Sequence, residues 1–249
     1  MGLFETEAIV LNVLRLGEAD KLVTLLSEKR GKIKGVAKGA RRTKSRFGAA
    51  LEPFTHCNAI LFEKRPTILL RMNQADILHP FLRIRDDLER IGAAARMVRM
   101  VTALLPEGEA NPKIFSLLLT GLGQVERSEH LDWLVRAFEI RCLKYAGYQA
   151  RLDRCLNCHR EFVSGPVYFS PKNGGTVCRA CARTTHEQLQ TVSPGTLSMM
   201  RLVARMNWAG LFRLKATPEM LREVQDIVDA HLTFILGKPL KQTALSVPS

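Results

Sequence analysis

The spacing of apolar residues changes once along this chain, at His79-Pro80, and that change constrains the fold more than any other feature. Before it the apolar residues come in short runs: Ala8 to Leu14, Leu22 to Leu26, Ile33 to Ala37, Cys57 to Phe62 and Thr67 to Met72. Gly17, Gly31, Gly48, Pro53 and Pro66 punctuate them. Runs of that length between turn formers read as strands, and five of them in residues 1–80 predict a small barrel or sandwich. A five-stranded OB-fold is the natural candidate, although composition does not separate it from an SH3-like barrel. After the break the period becomes helical. Leu88, Ile91, Ala95, Val98 and Leu105 form one stripe and predict a helix over residues 83–105. Asn111-Pro112, Ser193-Pro194 and Thr217-Pro218 each pair an N-cap residue with a first-turn proline and open three more helices. Another stripe runs through Leu131, Val135, Phe138, Cys142 and Tyr145. The fold class is therefore α+β, with residues 1–80 a barrel domain and residues 81–249 a helical domain.

Charge is distributed as unevenly as hydrophobicity. The chain has 249 residues and a net charge of +13, and nine of its 37 basic residues lie between Lys29 and Arg46 with no acid among them. Such a concentration is the electrostatic footprint expected on a phosphate backbone. The segment begins as a strand, because Ile33, Gly35 and Ala37 alternate with Lys32, Lys34 and Val36. Gly35 and Gly39 suggest a bulge, a bend or a close approach by another segment. Beyond it, Arg41, Arg42, Lys44 and Arg46 have neither period and read as a mobile basic loop. The candidate phosphate contacts are thus Lys32, Lys34, Lys38, Arg41, Arg42, Lys44 and Arg46. Phe47, just past them, either stacks on a base or anchors the loop to the core.

Within the helical half, Cys155-x2-Cys158 and Cys178-x2-Cys181 are separated by a spacer of turn formers around Val167 to Ser170. Two cysteines at this spacing can reach one ion, and two such knuckles close a tetrahedron. The reading is a zinc ribbon over residues 150–184, with one structural Zn2+ held by Cys155, Cys158, Cys178 and Cys181. A redox pair, an iron–sulfur site and unrelated cysteines are the alternatives. Four thiolates leave no position for an activated water, so the site is not expected to be catalytic. His159 and His186 lie close enough in sequence to be substitute ligands but read as surface residues. Arg151, Arg154, Arg160, Arg179 and Arg183 surround the knuckles, either as a second basic surface or to balance the metal site. Cys57, Cys142 and His231 read as core residues.

Nothing in the sequence points to an enzyme. It has no GxxxxGK[ST] loop, no HExxH and no GxSxG. Asp86-Asp87-x-Glu89 clusters acids but sits where acids favour a helix start. Neither a signal peptide nor a membrane span is expected, which predicts a cytoplasmic protein. Met1-Gly2 with Thr6 matches a bare myristoylation pattern by chance.

These residues resemble the RecO family of DNA-repair proteins. The resemblance lies in Thr6-Glu-Ala-Ile-Val-Leu, Gly17-Glu-Ala-Asp-Lys21, Gly31-Lys-Ile, Ala37-Lys-Gly-Ala-Arg-Arg42 and Leu51-Glu-Pro-Phe54. The cysteine insertion with Phe169-Ser170, and Lys238-Pro-Leu-Lys241, extend it over nearly the whole chain. It implies an N-terminal OB-fold, a helical domain and a zinc-ribbon insertion. It also implies a nucleoid-associated mediator that binds single- and double-stranded DNA and anneals complementary strands. The implied partners are RecR and the acidic tail of the single-strand-binding protein, with RecA loaded as the outcome. Lys241-Gln242, where the family pattern has Lys-Ser, is a departure. A zinc-ribbon RNA-binding protein and a DNA-processing nuclease are the competing functions.

Overall fold

The computed structural model describes residues 2–63, 69–162, 166–211 and 213–240. The chain divides into two compact units, Met1–Glu129 and His130–Lys241.

In the first unit five strands form a closed barrel in the order β1-β2-β3-β5-β4. They are β1 (Gly2–Leu16), β2 (Asp20–Ser27), β3 (Gly31–Ala37), β4 (His56–Glu63) and β5 (Leu69–His79). Thr67 and Ile68, expected at the head of the last strand, lie outside the described residues, and that strand runs on to His79. Closure depends on β1, which pairs with β4 through Gly2–Ile9 and with β2 through Ala8–Leu16. A register shift between Val10 and Asn12 bends it from one neighbour toward the other. The other seam is parallel, β3 Lys34–Ala37 against β5 Leu69–Met72. Strand residues of one parity fill the interior: Ala8, Val10, Val23, Leu25, Ile33, Ala37, Leu61 and Met72 are all buried. At Gly35 a Cβ would stand 2.7 Å from Met72 Cγ, the close approach anticipated there.

Two helices follow in place of the one expected over residues 83–105. They are α1 (Leu82–Arg85) and α2 (Leu88–Leu104). Asp87 sits between them in an extended conformation, and its carboxylate accepts from the backbone N–H groups of Glu89 and Arg90. It is therefore an N-cap, and a new helix starts there. Leu88 consequently leaves the predicted stripe and is 83% exposed, while Arg90, Ala94, Met97 and Val101 take the buried face. α3 (Pro112–Val125) begins at the cap Asn111 as predicted.

The compact unit continues through these helices because they are tied to the barrel. Arg85 donates to Pro53 O at 2.9 Å and to Thr55 Oγ1 at 2.8 Å. The α2–α3 loop runs along β3, where Gly108 N donates to Lys32 O at 2.9 Å. Gly31 makes this approach possible. Its φ is +64°, and a Cβ there would stand 1.8 Å from Glu109 O. Gly17 has a similar φ of +62° but open space around it. Gly31→Ala is therefore expected to cost more than Gly17→Ala. Both incur the left-handed penalty of about 1–3 kcal/mol, and only Gly31→Ala also lifts the loop from β3. Urea midpoints at constant m measure the difference, and equal losses at the two sites would refute it.

The second unit is built around α4 (Leu131–Tyr145), buried on all sides from Trp133 to Leu143. Its buried charges are matched: Arg136 donates to Glu139 Oε2 at 2.6 Å, and Arg141 donates to Val203 O at 3.2 Å. Packed with it are α6 (Pro194–Arg205) and α8 (Pro218–Leu236), each starting at the predicted cap-proline pair. A three-stranded sheet of β6 (Val167–Ser170), β7 (Gly175–Cys178) and β8 (Gln190–Val192) follows the first cysteine pair and includes Cys178 at the end of β7, its third strand lying beyond residue 184. The remaining helices, α5 (Arg179–Ala182) and α7 (Trp208–Leu211), are single turns. His231 of α8 fixes the β6–β7 hairpin, its Nδ1–H donating to Pro171 O at 2.8 Å while its ring meets Phe169 edge-on. It is the satisfied core histidine expected from its place in the helix. The C-terminal Lys241-Gln242 lies outside the described residues.

Candidate nucleic-acid interface and metal centre

β3 alternates between buried and half-buried residues along its whole length, so Lys32 and Lys34 share the outer face. Both are already engaged. Lys32 Nζ donates to Thr102 O at 2.7 Å, and Lys34 Nζ pairs with Glu107 Oε1 at 2.6 Å. Burial holds the Lys32 ammonium below the usual lysine range, with Glu107 opposing the shift and Lys34 adding to it. Sequence reasoning did not foresee this cover, because no local pattern in Pro106 to Ala110 signals that the loop lies on a strand distant in sequence.

The residues after β3 form consecutive turns where a mobile loop was expected. Ala40 N donates to Ala37 O, Arg42 N to Gly39 O and Ser45 N to Arg42 O, at 3.4, 3.1 and 3.0 Å. The turns are held at both ends. At the start, Gly39 N donates to Asp20 Oδ1 at 2.8 Å and Arg41 N to Ala19 O at 2.9 Å. At the far end Phe47 is 3% exposed and packs in the barrel core, which makes it the anchor of the segment. Across this segment Lys38, Arg41, Arg42, Lys44 and Arg46 are all exposed. Arg41 spends part of its guanidinium on the carbonyls of Gly17 and Glu18, at 3.0 and 2.7 Å. Arg46 lies over the Phe47 ring, 5.1 Å from its centroid. A fixed backbone with solvent-facing cations can hold a polyanion without the cost of ordering a free tail.

The second cluster is chemical. The Sγ atoms of Cys155, Cys158, Cys178 and Cys181 all lie within 4.8 Å of one another, and Cys158 and Cys178 are 3.8 Å apart. A tetrahedron of thiolates about 2.3 Å from a zinc ion has S–S edges of about 3.8 Å. The separation matches that edge and is far longer than a disulfide bond. The donor set therefore fits one tetrahedral metal ion. Burial works against ionisation of Cys155, but the backbone N–H groups of Cys158, Cys178 and Asn157 donate toward its sulfur and bring the thiol down to about 6. Cys178 is the main reason that the Cys181 thiol is pushed up to about 12. Neither histidine belongs to the cluster among the described residues. His159 is exposed, in the left-handed conformation with φ +59°, and turns the chain out of the first knuckle. His186 is also exposed. Cys57 and Cys142 are fully buried. Burial, with a smaller contribution from Asp76, pushes the Cys57 thiol up to about 12.

Residues 1–81 match the sequence model of the recombination protein O N-terminal region, and residues 85–244 match that of its C-terminal region. The chain belongs to the RecO family. Relatives extend over almost its entire length. The DNA repair protein RecO of Pelotomaculum thermopropionicum is 35% identical over 246 residues, covering 98% of this chain and 93% of its own. That of Dehalococcoides mccartyi is 32% identical over 238 residues, covering 96% and 92%. The RecO protein of Symbiobacterium thermophilum is 33% identical, covering 97% and 95%. Among the described residues no helix is long and apolar enough to cross a membrane.

Proposed function

We propose that this chain is a non-enzymatic mediator of recombinational DNA repair. It binds single- and double-stranded DNA, anneals complementary strands and helps RecA load onto DNA coated with single-strand-binding protein. RecR and the acidic tail of the single-strand-binding protein are its protein partners, and the cytoplasmic nucleoid is its place of action. RecO membership supports the repair role. The observation that carries the mechanism is the anchored run of turns displaying Lys38, Arg41, Arg42, Lys44 and Arg46 to solvent.

The closed order β1-β2-β3-β5-β4 supports reading the barrel as an OB-fold, which binds oligonucleotides through strand faces and loops. Residues 1–80 then form the nucleic-acid-binding domain, and residues 81–249 a helical domain with the ribbon inserted. Lys32 and Lys34 line the same strand path, with the five exposed cations making the principal phosphate contacts. Annealing needs no bond chemistry: two polyanions are held close and screened while their bases pair. Contacts of this kind are electrostatic and indifferent to sequence. The four cysteines hold one structural Zn2+, which closes the ribbon and supplies no reactive position.

Pairing of two complementary labelled oligonucleotides, followed without magnesium and without nucleotide, tests the reading. Acceleration at or below one protein per strand is expected. Binding without acceleration would defeat the mediator mechanism and favour an RNA-binding or DNA-processing role.

A further inference from the structure

We propose that the two metal knuckles carry a second phosphate-binding surface, centred on Arg160 and Arg183, which holds the second strand during annealing. This rests on the strand-annealing reading above. Both knuckles have the same form, Cys155-x2-Cys158-x-Arg160 and Cys178-x2-Cys181-x-Arg183. Each arginine stands two residues beyond the second cysteine of its knuckle, so its Cα is at most about 7 Å from a ligand Cα. The four sulfurs gather within 4.8 Å, and both arginines are therefore brought around one point. Arg179 lies four residues before Arg183 across the single turn of α5, which puts the two on one helical face.

Among the described residues, no salt bridge engages the side chains of these cations. The acids of the region are already engaged: Asp153 by Arg201 and Arg205, Glu161 by Arg154, and Glu187 by Ser170 and Asn173. Arg151, Arg160, Lys172, Arg179 and Arg183 are all exposed, and their side chains have no acidic partner among the described residues. A metal centre of four thiolates and one divalent ion carries two net negative charges, fewer than these five cations. Balancing the metal therefore does not account for them. The backbone around Arg160 is fixed, since Cys155 N donates to Arg160 O at 3.0 Å. Arginine's planar fork engages phosphate oxygens in pairs, which suits the arginines flanking the knuckles to a strand backbone.

The test is Arg160→Gln with Arg183→Gln in the full chain, with zinc content and melting temperature checked first. First-strand affinity is expected to stay unchanged, while annealing slows and second-strand uptake loses about 1.4 from its log–log salt slope, two contacts at about 0.7 each. Lysine at both positions should restore the slope. A glutamine variant that keeps its zinc and leaves both annealing and slope unchanged would overturn the proposal. If that variant loses zinc, phenylglyoxal footprinting of the unaltered protein decides. Protection of Arg160 and Arg183 by DNA supports the surface, and equal modification with and without DNA rejects it. A wild-type protein that fails to anneal would count against the mediator mechanism, while the footprint would still decide whether these arginines meet phosphate.

Discussion

Replacing Lys38, Arg42, Lys44 and Arg46 together by alanine will flatten the salt dependence of single-strand binding by about 2.8 log units per log unit of salt. Each lost phosphate contact on a single strand contributes about 0.7 to the slope. Affinity at low salt falls with it, uniformly across sequences, because no base-reading geometry is involved. The fold should be unaffected, since all four side chains are exposed and the segment is held elsewhere, by Asp20 at one end and Phe47 at the other. Lys32→Ala with Lys34→Ala is the informative contrast. Those ammonium groups are already committed to Thr102 O and Glu107, so the same number of contacts is not available to DNA. A double variant at Lys32 and Lys34 that reduced the slope as strongly, per cation, as the four-residue variant would show that the α2–α3 loop leaves β3 when DNA binds. An unchanged slope in the four-residue variant would remove the basic turns from the binding surface altogether.

That contrast also marks where sequence reading ends. The alternation of Ile33, Gly35 and Ala37 with Lys32, Lys34 and Val36 was legible because strand side chains alternate by geometry, and the burial of β3 follows it residue by residue. Cap residues were legible for a similar reason. Asn111, Ser193 and Thr217 each accept a backbone N–H at the helix start that their cap-proline pair predicted. The four cysteines could be grouped from their spacing alone. What was not legible depends on contacts between distant segments. Neither the pairing of Glu107 with Lys34 nor the collision that forbids a side chain at Gly31 has a local signature. The division of the first helix at Asp86-Asp87 was obscured because an apolar period continues across it, and Leu88 fits that period while lying in solvent. The closed strand order likewise depends on β1 being shared by two neighbours, which follows from register and not from composition.

Loss of the metal should have the largest structural effect. Cys155→Ser is expected to abolish zinc binding, taking the content from one ion per chain to none, and to melt the ribbon sheet well before the rest of the protein. Cys155 is the most buried of the four ligands, and its sulfur also accepts from Cys178 N at 3.4 Å, which joins the two knuckles. A serine hydroxyl at that position cannot supply the thiolate. Structural zinc contributes about 10–16 kcal/mol of apparent binding free energy in isolated zinc-finger peptides, and that energy is folding energy. The ribbon has little else to fold on: Val167, Phe169, Val177 and Val192 are the buried apolar side chains of its three strands. Hydrogen exchange should therefore lose protection across β6, β7 and β8 while β1 to β5 keep theirs. Treating the unaltered protein with a strong chelator should give the same exchange pattern, since the proposed structural role belongs to the metal and not to the cysteine side chain. Cys57→Ser is the control. Its thiol is fully buried in the barrel core, so that variant should lose some barrel stability yet keep its zinc. A Cys155→Ser protein that retains one zinc ion and melts as the unaltered chain does would rule out the structural metal centre. A variant that loses its zinc while the ribbon stays protected would show instead that packing against α8 through His231 suffices to hold it.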